Sequence, residues 1–204
     1  MSDIPSLLRT ILSEVNLKSG DLIERWVDLY FNLARTFGGE SYRHQPDLWV
    51  DLILRKMEDD SCIRMRDPAA SQQVDMLLTL QYALSRMWVL STYEGIRLAQ
   101  ETDSGRAHAK LTVLRRRIEM VRVPIAKQQI ANDQKIKGSI TLVPFGAEGP
   151  KQPYSAKDRS PYDPPKVWEN ETGSAAWLVL DSKTGETIPI SRRALSDEML
   201  ALFN

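Results

Sequence analysis

The sequence predicts a mainly α-helical protein: a helical bundle around a long antiparallel helical hairpin, with a small C-terminal β-hairpin appendage. Three observations carry this. Up to about residue 137, apolar residues recur at i, i+3, i+4 and i+7. Residues 70–101 contain no proline, and Gly95 is their only glycine. Beyond residue 138, proline, glycine and short β-branched runs take over. A chain of 204 residues, 42% hydrophobic, suits one domain with a small addition. The division expected is 1–137 as a helical bundle domain and 138–204 as a proline-rich segment, a β-hairpin and a short terminal helix.

Ile4, Leu7, Leu8, Ile11, Leu12 and Val15 form one apolar stripe and predict a short first helix. Leu22, Ile23, Trp26, Val27, Tyr30, Ala34 and Phe37 predict a second, capped by Ser19 and ended by Gly38 and Gly39. Leu48, Trp49, Leu52, Ile53 and Met57 predict a third after Pro46, with Asp47 at its positive end and the acidic Glu58-Asp59-Asp60 opening a loop.

The helix of 70–101 is apolar almost all round and is expected to be central and enclosed, with polar residues in two narrow sectors. One holds Thr79, Arg86 and Arg97, the other Gln81, Ser85 and Thr92. Thr102 to Gly105 reverses the chain. Ala107, Leu111, Leu114, Ile118, Val121 and Ile125 then line the second arm of the hairpin, where Pro124 predicts a kink or restart.

Residues 144–165 hold six of the eleven prolines and read as a linker. Ala176–Leu180 and Thr187–Ile190 flank the turn-forming Ser182-Lys183-Thr184-Gly185 and predict a β-hairpin, with Pro189 confining its strand to an edge. Ile140 to Val143 is a candidate third strand, and Asp197 to Leu202, capped by Ser196, a closing helix. So small a ribbon must pack on the helices or on another chain.

Composition excludes several classes of function. Lysine plus arginine and aspartate plus glutamate number 27 each, so no global charge favours nucleic acid or an anionic membrane. The longest uncharged runs are ten residues, Met76 to Ser85 and Gly138 to Ala147, well short of the roughly eighteen that a spanning helix needs. The N-terminal residues have no secretory or transit pattern, and the expected setting is cytoplasmic. Cys62, His44 and His108 cannot complete a Cys/His zinc site, and no metal or cofactor is expected. There is no G-x-S-x-G elbow, dinucleotide fingerprint or phosphate-binding P-loop. Carboxylates at i, i+4, Glu24 with Asp28 and Asp47 with Asp51, lack the Glu-x-x-His partners of a di-metal bundle and read as solvated acidic faces. The Arg-x(4-6)-His motif of the HEPN ribonucleases is not met either: eight residues separate Arg35 from His44, and one separates Arg106 from His108.

Two groups of residues are left as candidate sites. The helical angle of Glu94 falls with those of Met76, Ala83 and Met87, so its carboxylate is expected to be at least partly buried and paired with Arg117 or Arg122. The functional alternative gathers Tyr93, Glu94, Arg97, Arg122 and Lys127 into a ligand pocket near Pro124. The second group is basic. Residues 106–137 carry nine basic and two acidic side chains, including Arg115, Arg116 and Arg117, which are candidates for contacting nucleic-acid phosphate. At helical spacing these three point in different directions, so the alternative is intramolecular pairing with the acid-rich 11–60 region. The sequence therefore favours a non-enzymatic binding or assembly module, with a protein or a second copy of itself as partner and no membrane. The rival is an RNA-cleaving or other phosphate-handling enzyme using helix 106–137.

Overall fold

The computed structural model describes residues 13, 19–38, 45–66, 76–136, 140–142, 152–157 and 160–203. The predicted first helix lies outside them except for Ser13. The described chain is mainly α with a small antiparallel sheet near its C-terminus. In order it forms α1 (Gly20–Phe37), α2 (Gln45–Met65), α3 (Met76–Glu101), a short α4 (Asp103–Ala107), α5 (Ala109–Lys127), a 3-10 turn (Asp133–Lys135), β1 (Ile140–Leu142), β2 (Gln152–Tyr154), β3 (Lys166–Trp168), β4 (Ala175–Leu180), β5 (Thr187–Ser191) and α6 (Arg192–Leu200).

Trp26, Leu29, Tyr30, Leu33 and Phe37 bury one face of α1. Ser19 occupies the cap position without a side-chain cap bond, and Gly38 leaves the helix at φ 102°, a conformation that suits glycine. α2 departs from expectation. It continues through Glu58-Asp59-Asp60 to Met65 because Glu58 is fully buried and paired instead of solvated. Asp47, Asp51, Leu54, Glu58 and Ser61, spaced 4, 3, 4 and 3 residues apart, form a buried stripe, while Trp49 and Ile63 are exposed. Asp47 and Asp51 are thus not a solvated face. Glu24 and Asp28, on α1, are exposed as read.

α3 is inverted in the same way. Its buried face carries the polar Gln81, Ser85 and Thr92 beside Trp88, Ile96 and Ala99, and the helix is not enclosed, since Met76, Leu80 and Met87 are exposed. The reason is a polar seam shared with α2 and the loop before β4. Ser61 Oγ donates to Gln81 Oε1 at 2.7 Å, and Gln81 Nε2 donates to the Gly173 carbonyl at 2.8 Å.

α3 and α5 form the expected antiparallel hairpin, for Gln100 meets Thr112 near the connection while Glu94 meets Arg122 and Arg86 meets Ile125 farther along. α4 is capped by Thr102, whose Oγ1 accepts from the Gly105 N–H at 3.0 Å. Gly105 itself lies against α3, where an added Cβ would stand 1.9 Å from the Ala99 carbonyl oxygen. α5 runs through Pro124 to Lys127 as one element. The proline lies in the last turn, so only the Met120 carbonyl loses a helical donor to it. Gln128, left-handed at φ 53°, then closes the helix.

The predicted hairpin forms with β4 and β5 antiparallel, Ala176 opposite Ser191 and Leu180 opposite Thr187. β3 joins the other side of β4, which places β5 and its Pro189 at an edge. Ile140 to Leu142 is a strand, but it pairs with β2 in a separate two-stranded sheet. The closing helix starts at Arg192, immediately after β5. Its cap is Ser191, whose Oγ accepts from the Ala194 N–H at 3.2 Å; Ser196 lies inside the helix and is buried.

One core cluster runs from Trp26 and Leu52 through Trp88, Leu114 and Ile118 to Trp177, Ile190 and Leu195, so the ribbon and α6 share the core of the helices. Buried Arg192 fastens this junction. Its Nε and Nη2 donate to the two oxygens of Glu58 at 2.8 and 2.5 Å, its Nη1 donates to Asp51, and its guanidinium lies 5.5 Å from the Trp88 ring centroid. Trp26 Nε1 and Arg55 Nε each donate to the other Asp51 oxygen at 2.9 Å. Burial alone would raise the Asp51 pKa, but Arg192 and Arg55 override it and hold the carboxyl below its ordinary value.

Candidate anion site

A second, smaller core sets up the site. Ile130, Tyr154 and Tyr162 bury one another, and Tyr154 Oη accepts from the Ile130 N–H at 3.2 Å while donating to Asp133 at 2.8 Å. Burial, together with Asp133, raises the Tyr154 phenol to about 12. These contacts fix the 3-10 turn, and with it Lys135, beside the β4–β5 connection.

That connection is tight. Gly185, at φ 76°, donates its N–H to the Asp181 carbonyl at 2.8 Å, and Asp181 Oδ1 accepts from the Lys183 N–H at 2.8 Å. Short polar side chains bonding the backbone two residues on are typical of such turns. The result holds Ser182 and Lys183 opposite α5.

The three consecutive arginines of α5 fan out to three elements. Arg115 Nη1 donates to Gln100 Oε1 on α3 at 2.7 Å. Arg116 Nη2 reaches both oxygens of Asp181 at 2.7 Å. Arg117 Nη1 donates to Glu198 on α6. The paired acids belong to the C-terminal part of the chain, not to the 11–60 region; Asp51 and Glu58 of α2 meet Arg192 instead, and Asp51 also meets Arg55. Roughly 100° between successive helical residues is what sends each guanidinium to a different neighbour.

A cleft of about 250 Å³ opens between α5, the 3-10 turn and the β4–β5 connection. Arg115, Arg116, Lys135 and Lys183 line it against two acids, Glu119 and Asp181. Arg115 and Arg116 are therefore brought to one site and Arg117 is not. The Arg115 Nε is buried and has no hydrogen-bond partner among the described residues. Lys135 and Lys183 are exposed, and neither ammonium makes an ion pair among the described residues. Four cationic side chains against two acids are what the cleft offers an anion, and guanidinium and ammonium donors make charge-assisted hydrogen bonds to phosphate oxygens. Sequence reading missed Lys135 and Lys183, whose only local sign was the turn motif around Lys183.

The Glu94 group assembles in part. Glu94 pairs with Arg97 at 2.8 Å and with Arg122 at 3.4 Å, the interhelical pair expected, and the Arg122 guanidinium lies 4.7 Å from the Tyr93 ring centroid. Lys127 is exposed at the end of α5. The Glu94 side chain is 46% exposed, so this is a surface ion cluster.

His108 is the only histidine among the described residues. Its Nδ1 accepts from the Leu111 N–H at 3.2 Å, capping α5, and its ring sits 5.9 Å from that of Phe37 and 5.6 Å from that of Phe203. Among the described residues, no group of three or more His, Cys, Asp or Glu side chains is arranged to hold a metal, and no helix is long and apolar enough to cross a membrane. Comparison with known protein families, with curated proteins and with solved structures gives no match.

Proposed function

We propose that this chain is a non-enzymatic binding module that holds a small phosphate-like anion in the cleft beside Arg115. The observation that carries this is a cleft that gathers Arg115, Arg116, Lys135 and Lys183 against two acids, Glu119 and Asp181. Guanidinium and ammonium donors are the usual means of recognising phosphate, and here they stand on a helix and a fixed turn, which limits the reorganisation needed on binding. Calorimetric titration with inorganic phosphate tests it. Saturable binding that weakens with salt is expected, abolished by Arg115→Ala and unaltered by Arg117→Ala, whose guanidinium serves α6. Binding unaffected by Arg115→Ala removes the proposal.

The RNA-cleaving alternative finds less support, because His108 uses its Nδ1 as a helix cap and packs its ring against Phe37 and Phe203. An RNA-degradation assay with Arg116→Ala and His108→Ala decides between binding and cleavage. Self-association is a second reading, favoured by the exposed Met76, Leu80 and Met87, spaced 4 and 7 residues apart on α3. Sedimentation of wild type against Leu80→Glu tests it: a concentration-dependent dimer lost in the variant supports the reading, and a monomer at high concentration ends it.

A further inference from the structure

The anion cleft has a neighbour of different character. A second cleft of about 350 Å³ shares Lys135, Ser182 and Lys183 with the first, and its far side is formed by Ile136, Ile140 and Thr184. The two adjoin along these three residues. One offers guanidinium and ammonium groups; the other offers two isoleucine side chains and the hydroxyl-bearing Ser182 and Thr184. Ile136 and Ile140 are partly buried against the Ile130, Tyr154 and Tyr162 cluster, so that wall is backed by packed side chains.

Size and charge narrow the occupant. Small-molecule pockets measure roughly 300–1,000 Å³. The first cleft falls below that range and the second at its low end, so each suits one part of a ligand. Four lining cations against two lining acids leave the first cleft an excess of two positive charges. A phosphate monoester carries about −1.5 to −2 near neutral pH, which matches that excess, whereas each linkage of a nucleic-acid backbone carries a single negative charge.

Resting on the anion-binding reading, we propose that the two clefts act as one trough that binds a phosphate monoester with an organic body, of nucleoside monophosphate type, its phosphate at Arg115 and its body against Ile136 and Ile140. Ser182 and Thr184 line the second cleft and supply hydroxyls for a polar sugar-like portion, the Thr184 Oγ1 keeping the bond it accepts from the Glu186 N–H at 3.2 Å. Discrimination comes from adding the apolar half to a phosphate site that is weak by itself.

The test is calorimetric titration of the full chain with inorganic phosphate, adenosine 5′-monophosphate and adenosine. The monophosphate is expected to bind at least about tenfold tighter than phosphate, a gain of about 1.4 kcal/mol, and adenosine more weakly than either. Ile136→Ser is expected to erase the gain while leaving phosphate affinity within about twofold. Thr184→Ala, at an exposed turn position, is expected to reduce it should Ile136→Ser fail to fold. Equal affinity for phosphate and monophosphate overturns the joined trough and leaves the anion site standing. Adenosine binding as tightly as the monophosphate overturns the phosphate-first orientation. If no phosphate-bearing probe binds, both readings fall together.

Discussion

Arg192 and Glu58 lie 134 residues apart in the chain and meet as a two-pronged ion pair in which neither side chain has any solvent exposure. Asp51 completes a triad, and Ser174 Oγ donates to Glu58 Oε1 at 2.8 Å. The triad couples α2 to the start of α6 and to the loop before β4. A buried pair of this kind need not add net stability over an apolar replacement, but removing one member leaves an uncompensated charge.

Arg192→Ala is therefore expected to destabilise the fold by about 3–5 kcal/mol in urea denaturation. The double variant with Glu58→Ala should lose clearly less than the sum of the two single changes. Additive losses would show that the pair acts independently.

The acid limb of stability should depend on Asp51. Its folded-state pKa lies below the ordinary 3.8, so its contribution is complete above that value and is lost as pH falls through the lower folded value. Denaturation midpoints followed below about pH 4 should fall for wild type and change less steeply for Asp51→Asn.

Gly173 contrasts with Gly185. Both have positive φ, 69° and 76°, but a Cβ at Gly173 would stand 2.1 Å from the Glu58 carbonyl oxygen, while one at Gly185 meets nothing within 4 Å. Gly185→Ala is expected to lose about 1 kcal/mol and Gly173→Ala at least about 2 kcal/mol, because the latter must also push its loop off α2. Equal losses in thermal melts would contradict the close approach.

Asp181→Asn removes the carboxylate that occupies Arg116 but keeps an oxygen for the Lys183 N–H. Phosphate binding to this variant should tighten roughly fivefold, about 1 kcal/mol, as Arg116 is released toward the cleft. Weaker binding would mean that Asp181 positions Arg116 for the ligand.

Much of the fold was legible locally. The stripe of Trp26, Tyr30 and Phe37, the reversal at Thr102 to Gly105 and the hairpin around Gly185 all follow from periodicity and turn chemistry within a few residues. The acids of α2 misled because Asp51 and Glu58 gain their partner from Arg192, far along the chain, and spacing alone cannot distinguish a solvated carboxylate from a buried, paired one. The candidate site was half legible. Arg115 and Arg116 stand out as a basic run, while Lys135 and Lys183 reach them only because Tyr154 and the Asp181 turn hold two distant loops opposite α5.

The sequence by itself determined the helical hairpin and the β-hairpin, since these depend on contacts between neighbours. Tertiary structure alone decided which faces went inside. It turned Gln81, Ser85, Asp51 and Glu58 inward and left Met76, Leu80 and Met87 outside, because a buried polar group is tolerated wherever a partner satisfies it, and those partners come from elements remote in the chain.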